Sequence, residues 1–200
     1  MNPIASVRYR LSRRRRRAPA ERHWVRIVMD REVEALLRGL GPASLHAAEI
    51  SGDGRGHLGW QEFTRLDFPD FDLVNPHDVG QFDVVVCEQV LEHVTQPFTA
   101  ATTLAQLTKP GGHVLVSVPF LLRVHEAPID AWRFTPTGLR LLLESAGLTV
   151  VTVGSWGNPW CVRANLTDWM PFGRRHQLLR RWSLANNPET PMVVWALAGR

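Results

Sequence analysis

The chain is poor in cysteine, with two in 200 residues, Cys87 and Cys161. Cys87 ends the apolar run Val84-Val85-Val86 and reads as a small buried residue. Two cysteines so placed build neither a disulfide framework nor a zinc site, which fits a reducing compartment. No apolar run approaches the roughly eighteen residues of a membrane helix. No apolar segment follows the N-terminal arginines either, so no secretory signal is read there and a cytoplasmic protein is expected. The histidines, at positions 23, 46, 57, 77, 93, 113, 125 and 176, show no metal-ligand spacing, so no metal is expected. No Gly-Lys-Ser or Gly-Lys-Thr occurs, which excludes a lysine-bearing phosphate loop. The absence of Gly-x-Ser-x-Gly excludes a nucleophile elbow.

Lysine is nearly missing too: 22 arginines stand against one lysine. Nine of those arginines lie in residues 1–26 with a single acid, Glu21, giving that segment +8 and the remainder −4. Arg13 to Arg17 is an unbroken block, and such blocks repel themselves and stay solvated. Residues 1–22 are therefore expected to be a disordered basic tail, and residues 23–200 one domain. The tail has two readings. One is an electrostatic arm for nucleic acid or anionic lipid. The other, preferred because arginine is favoured along the whole chain, is a biased terminus with no dedicated partner. No aromatic residue alternates with the block, so it offers no stacking platform.

The body alternates strands and helices. Asp30 is expected to cap a helix carrying Val33, Leu36, Leu37 and Leu40 on one face. His46 to Ile50 reads as a first strand, Phe63 to Leu66 as a second, and Phe71 to Val74 as a short third. Phe82 to Cys87, apolar but for Asp83, reads as a strand buried on both faces of a parallel sheet. Helices are expected over Pro97–Leu107 and over Thr135–Ala146, where Thr135 caps and Pro136 opens the first turn. Strands follow at His113–Val118, Thr149–Val153 and Met192–Ala198. This alternation predicts an α/β, doubly wound, mostly parallel sheet.

In such sheets ligands bind beyond the carboxyl ends of the strands. The candidates are Glu49 with the loop Ser51-Gly52-Asp53-Gly54-Arg55-Gly56, then Asp67, then Glu88 to His93, then Phe120 to Arg133. Glycines let a backbone approach a ligand closely. Asp67 stands 18 positions beyond Glu49, and an acid near that distance can accept hydrogen bonds from ribose hydroxyls.

The run Phe82 to His93, with Leu-Glu-His at 91–93, and the later Lys109-Pro110-Gly111-Gly112 resemble class I S-adenosylmethionine-dependent methyltransferases of the small type 11 kind. Pro119 to His125, Pro128-Ile129-Asp130, Arg133-Phe134-Thr135, Ser155 to Asn158 and Pro191 to Leu197 are similar to a narrower subgroup. The resemblance spans roughly residues 44–200. It implies a Rossmann-like, seven-stranded sheet with an antiparallel last strand, and S-adenosyl-L-methionine as cofactor. It also implies that Glu49, Gly52, Asp53, Gly54 and Gly56 hold the methionine and ribose part, that Asp67 takes the ribose hydroxyls, and that Glu88 and Gln89 line the donor pocket. One departure is that Ser51 occupies the first glycine place, with the glycines one position late.

The implied reaction is in-line methyl transfer to a small molecule or a glycan or lipid precursor. His125, Asp130 and His93 are candidate bases, while Arg133, Trp156 and Asn158 are candidate acceptor contacts. Residues 156–187 are a candidate substrate cap. The alternative is a non-catalytic binding protein of the same fold, associated with nucleic acid through the arginine tail.

Overall fold

The computed structural model describes residues 23–125, 129–167 and 184–200. The expected basic tail, and residues 168–183 of the expected cap, lie outside them. The elements run α1 (Trp24–Gly39), β1 (His46–Ile50), β2 (Glu62–Leu66), β3 (Phe82–Glu88), α2 (Pro97–Leu107), β4 (Thr108–Pro119), α3 (Pro136–Ser145), β5 (Thr149–Trp156), α4 (Pro159–Thr167) and β6 (Val193–Gly199).

These strands form one sheet in the order β2-β1-β3-β4-β6-β5. The pairs β1–β2, β1–β3 and β3–β4 are parallel. β6 is antiparallel to both its neighbours. The doubly wound, mostly parallel sheet and its antiparallel last strand are thus as the sequence predicts, with six strands among the described residues rather than seven.

The missing strand is the third. Phe71 and Leu73 are buried beside Leu66 and Phe82, as an inward strand face would be. Asp72, however, accepts the Val74 N–H at 2.9 Å, and its backbone carbonyl accepts the Asn75 N–H at 3.2 Å. An aspartate that bonds its own backbone two residues on makes a turn and competes with a strand ladder.

Side chains alternate across a strand, so β3 divides cleanly. Val85 and Cys87 join Ala100, Leu104, Leu139 and Leu143 of α2 and α3 in one core. Val84 and Val86 join Trp24, Met29, Val33 and Leu37 of α1 in the other. Each such fully buried side chain contributes about 1.5–3 kcal/mol, so both faces of β3 are anchored. Its polar exit, Glu88-Gln89, is held where the strand ends.

α1 corrects one expectation. Asp30 lies inside this helix and does not cap it. The apolar stripe extends back through Val25, Val28 and Met29 to Trp24, all buried, so the helix begins about two turns earlier. Thr135 does cap α3, accepting the Gly138 N–H at 2.9 Å.

Candidate active site

The glycine-rich loop is organised from within by Glu49. By strand alternation Glu49 sits on the same face as Ala47, toward α1. Its carboxylate accepts the Gly54 N–H at 3.0 Å and the Arg55 N–H at 2.8 Å. Burial raises its pKa, opposed by the Arg55 amide. A Cβ at Gly52 would lie 2.4 Å from Glu49 Oε1, so a side chain there would displace the carboxylate that holds the loop. Ser51 takes a left-handed conformation at φ 54°, strain that a non-glycine residue tolerates when its surroundings over-determine it. Its N–H is tied to the Leu66 carbonyl at 2.9 Å.

Arg55 is the residue whose role the sequence concealed. Its side chain is 4% exposed, among acids from two elements. Nε bonds Glu88 Oε1, and Nη2 reaches Glu88 Oε2 at 2.9 Å and Asp30 at 3.0 Å. Nη1 reaches Glu34 at 3.2 Å. Burial opposes its charge, but the pairing with Glu88 and Asp30 wins and raises its pKa. Arg26 adds a second cation, 3.3 Å from Glu88. One clue was present in sequence: Arg26, Asp30 and Glu34 recur every four residues, on one helical face.

Asp67 ends β2, one strand over from the loop, and accepts from Arg65 Nη2 at 2.6 Å. The same guanidinium lies 3.5 Å from Asp53, whose side chain is mostly exposed. Gln89 is also left-handed, at φ 55°. Its N–H donates to the Ser117 carbonyl at 2.8 Å and its side chain to Ser117 Oγ at 3.3 Å, fixing the exit of β3 against β4.

A second group gathers Glu92, His93, His125 and Asp130. Glu92 is fully buried, and neither carboxylate oxygen has a hydrogen-bond partner among the described residues. Burial pushes its pKa up to about 8, and the nearness of its own amide and of Arg133 opposes this only in part. His93 Nε2 stands 3.6 Å from Glu92 Oε1, while its Nδ1 meets the Ile129 carbonyl. The His93 and His125 rings meet edge-on, 5.3 Å apart.

Asp130 holds this loop. It accepts the His125 N–H at 2.7 Å and stands 3.1 Å from His125 Nδ1. Arg133 grips it with both terminal nitrogens, and this bonding holds its pKa down to about 2. Burial lowers the His125 pKa, and Asp130 opposes this. Arg133 also donates to the carbonyls of Trp132 and Arg123, at 2.8 and 3.2 Å.

Two expected acceptor contacts have other occupations. Trp156 is buried, its Nε1 donating to the Leu184 carbonyl at 3.0 Å. Asn158 caps α4, accepting the Cys161 N–H at 2.8 Å, and donates to the Ala185 carbonyl at 2.9 Å.

A family profile described as "Methyltransferase domain" matches residues 29–153, from within α1 to within β5. The chain belongs to this methyltransferase family. The matched stretch contains the glycine loop, Asp67, Glu88, Glu92 and His125. The chain is also similar to the ubiquinone biosynthesis O-methyltransferase of Marinobacter nauticus, 46% identical over 43 residues. That is 22% of this chain and 18% of the relative's length. Two solved structures share the methyltransferase fold. The S-adenosylmethionine-dependent methyltransferase of Mesorhizobium loti superposes with a TM-score of 0.55 at 17% identity, covering 83% of this chain and 96% of that one. The 1,6-didemethyltoxoflavin-N1-methyltransferase of Burkholderia thailandensis, with its substrate and S-adenosylhomocysteine bound, gives 0.57 at 14% identity, covering 84% and 76%. No helix of the described residues is long and apolar enough to cross a membrane.

Proposed function

We propose that this methyltransferase moves the methyl group of S-adenosyl-L-methionine to a hydroxyl oxygen of a small acceptor or a glycan or lipid precursor. The observation that carries the reading is the convergence of Glu49 with its glycine loop, Asp67 and Glu88-Gln89 at the carboxyl ends of β1, β2 and β3, all inside the family match. The residues fit the cofactor. The loop packs so closely on Glu49 that a Cβ at Gly52 would displace its carboxylate, and a carboxylate follows at the end of the neighbouring strand, where a ribose is held in such sheets. The oxygen acceptor is favoured by the O-methyltransferase named among the relatives.

When bound, the cofactor supplies an electrophilic methyl on a positively charged sulfur. The chain's own residues mainly orient the two reactants, which supplies about 7–11 kcal/mol of the barrier. Asp67 holds the ribose. Glu88, steadied by Arg55 and Arg26, carries negative charge beside the donor. The acceptor proton is released at the Glu92–His93–His125 group, where Asp130 and Arg133 are positioning residues that fix the His125 ring.

The test follows S-adenosylhomocysteine release with a panel of phenol, sugar and hydroxy-acid acceptors. His125→Ala is expected to lower turnover by roughly 10²–10⁴-fold while donor affinity stays unchanged. Equal turnover with an accepted substrate would remove His125 from the chemistry.

A further inference from the structure

We propose that Glu92, His93 and His125 form a binding site for a divalent first-row transition-metal ion. Each residue offers one ligand atom, and the three atoms lie within 4.8 Å of one another. Two imidazoles and one carboxylate are a donor set for manganese, iron, cobalt or zinc, while magnesium and calcium prefer all-oxygen surroundings.

The independent observation is Glu92. A carboxyl that is 0% exposed with both oxygens lacking a partner among the described residues is rare, because buried polar atoms are nearly always satisfied. No described cation fills the role. Arg26 is engaged with Glu88 and Asp30, and Arg133 with Asp130. A metal ion placed between Glu92 and the two rings supplies the missing partner.

The outer contacts fit as well. Metal-bound histidines characteristically donate the other ring nitrogen to a carbonyl or carboxylate, which sets the tautomer. His93 Nδ1 is at the Ile129 carbonyl, with Nε2 toward Glu92. His125 Nδ1 is at Asp130, itself locked by Arg133. A metal bonds nitrogen or oxygen at about 2.0–2.2 Å, so ligand atoms close to roughly 3–3.5 Å apart on binding. The required contraction is about an ångström or less per donor. Three protein ligands leave coordination positions open for water or an acceptor oxygen.

The role of the ion, unlike the site, rests on the methyl-transfer reading. An acceptor hydroxyl bound at an open position has its pKa lowered and loses its proton to solvent. The oxygen then forms the new bond to carbon as the carbon–sulfur bond breaks, and the metal keeps its oxidation state.

The experiment uses the full chain without a histidine tag, stripped with EDTA and free of methyl donor. ZnCl₂ and MnCl₂ are titrated calorimetrically, with circular dichroism as the control for folding. One ion per chain is expected for wild type. Glu92→Gln and His125→Ala, one keeping the buried shape and the other lying in a surface loop, are each expected to weaken binding about 10–100-fold. No binding by either metal at about 1 mM would overturn the site, as would undiminished affinity in both folded variants. A metal-binding chain that fails to bind the methyl donor would leave the site standing and remove the methyl-transfer reading.

Discussion

Asp83 ties three strands with one carboxylate. It accepts the backbone N–H of His46 at the start of β1, at 2.9 Å, and both its oxygens lie 3.0 Å from Lys109 Nζ at the start of β4. The His46 amide and then the lysine hold its pKa below the ordinary 3.8. A depressed carboxylate contributes stability that is fully present above the unfolded value and fades as pH falls through the folded one. Asp83→Asn is therefore expected to cost about 1–2 kcal/mol at pH 7. The difference from wild type should shrink as pH falls below 3.8. Urea unfolding at pH 7 and at low pH checks this, and an equal cost at both would show that the charge is irrelevant. Lys109, the lone lysine of the chain, thus acts at the opposite end of the strands from Glu49, Glu88 and Asp67.

Between elements, the main tie is the acidic face of α1 closing over Arg55. Asp30, Glu34 and Glu88 converge on one guanidinium from a helix and a strand. Removing a buried partner leaves uncompensated charge, so Arg55→Ala is expected to destabilise by about 3–5 kcal/mol. Arg55→Lys is expected to recover only part of this, because an ammonium cannot reproduce the forked contacts to three carboxylates. Thermal unfolding of both variants decides it. A loss under about 1 kcal/mol for Arg55→Ala would mean the acids relax apart into solvent. Because Arg55 also steadies Glu88, donor affinity should fall in the same variant.

At the scale of the whole molecule, the fold was legible where burial is two-sided. β3 shows through the apolar run Val84–Cys87 because both its faces are covered, and Thr135-Pro136 marks the start of α3 by local chemistry. The Asp72 turn was not legible, since Phe71 and Leu73 are buried at the alternation of a strand while the backbone between them curls. The start of α1 was obscured by Asp30, a good cap residue used instead for an ion pair. The loop, Asp67 and Glu88 could be located because strand ends are predictable in this sheet. His93, His125 and Asp130 could be named from their places after the strands, but the pairing of Arg55 with Glu88 and the meeting of Glu92 with His125 could not, because contacts across 33 residues leave no local period. That spacing is also why the histidines look scattered in sequence although two of them meet in space.

On the proposed reading, a methyl-donor site lies at the ends of β1, β2 and β3. The direct measurement is calorimetric titration of S-adenosylhomocysteine into the full chain and into Asp67→Ala. The account predicts one site per chain in wild type, weakened about tenfold or more in the variant, as for loss of a charged hydrogen-bond acceptor. No heat of binding in wild type at about 1 mM ligand, or the same affinity in Asp67→Ala, would contradict it.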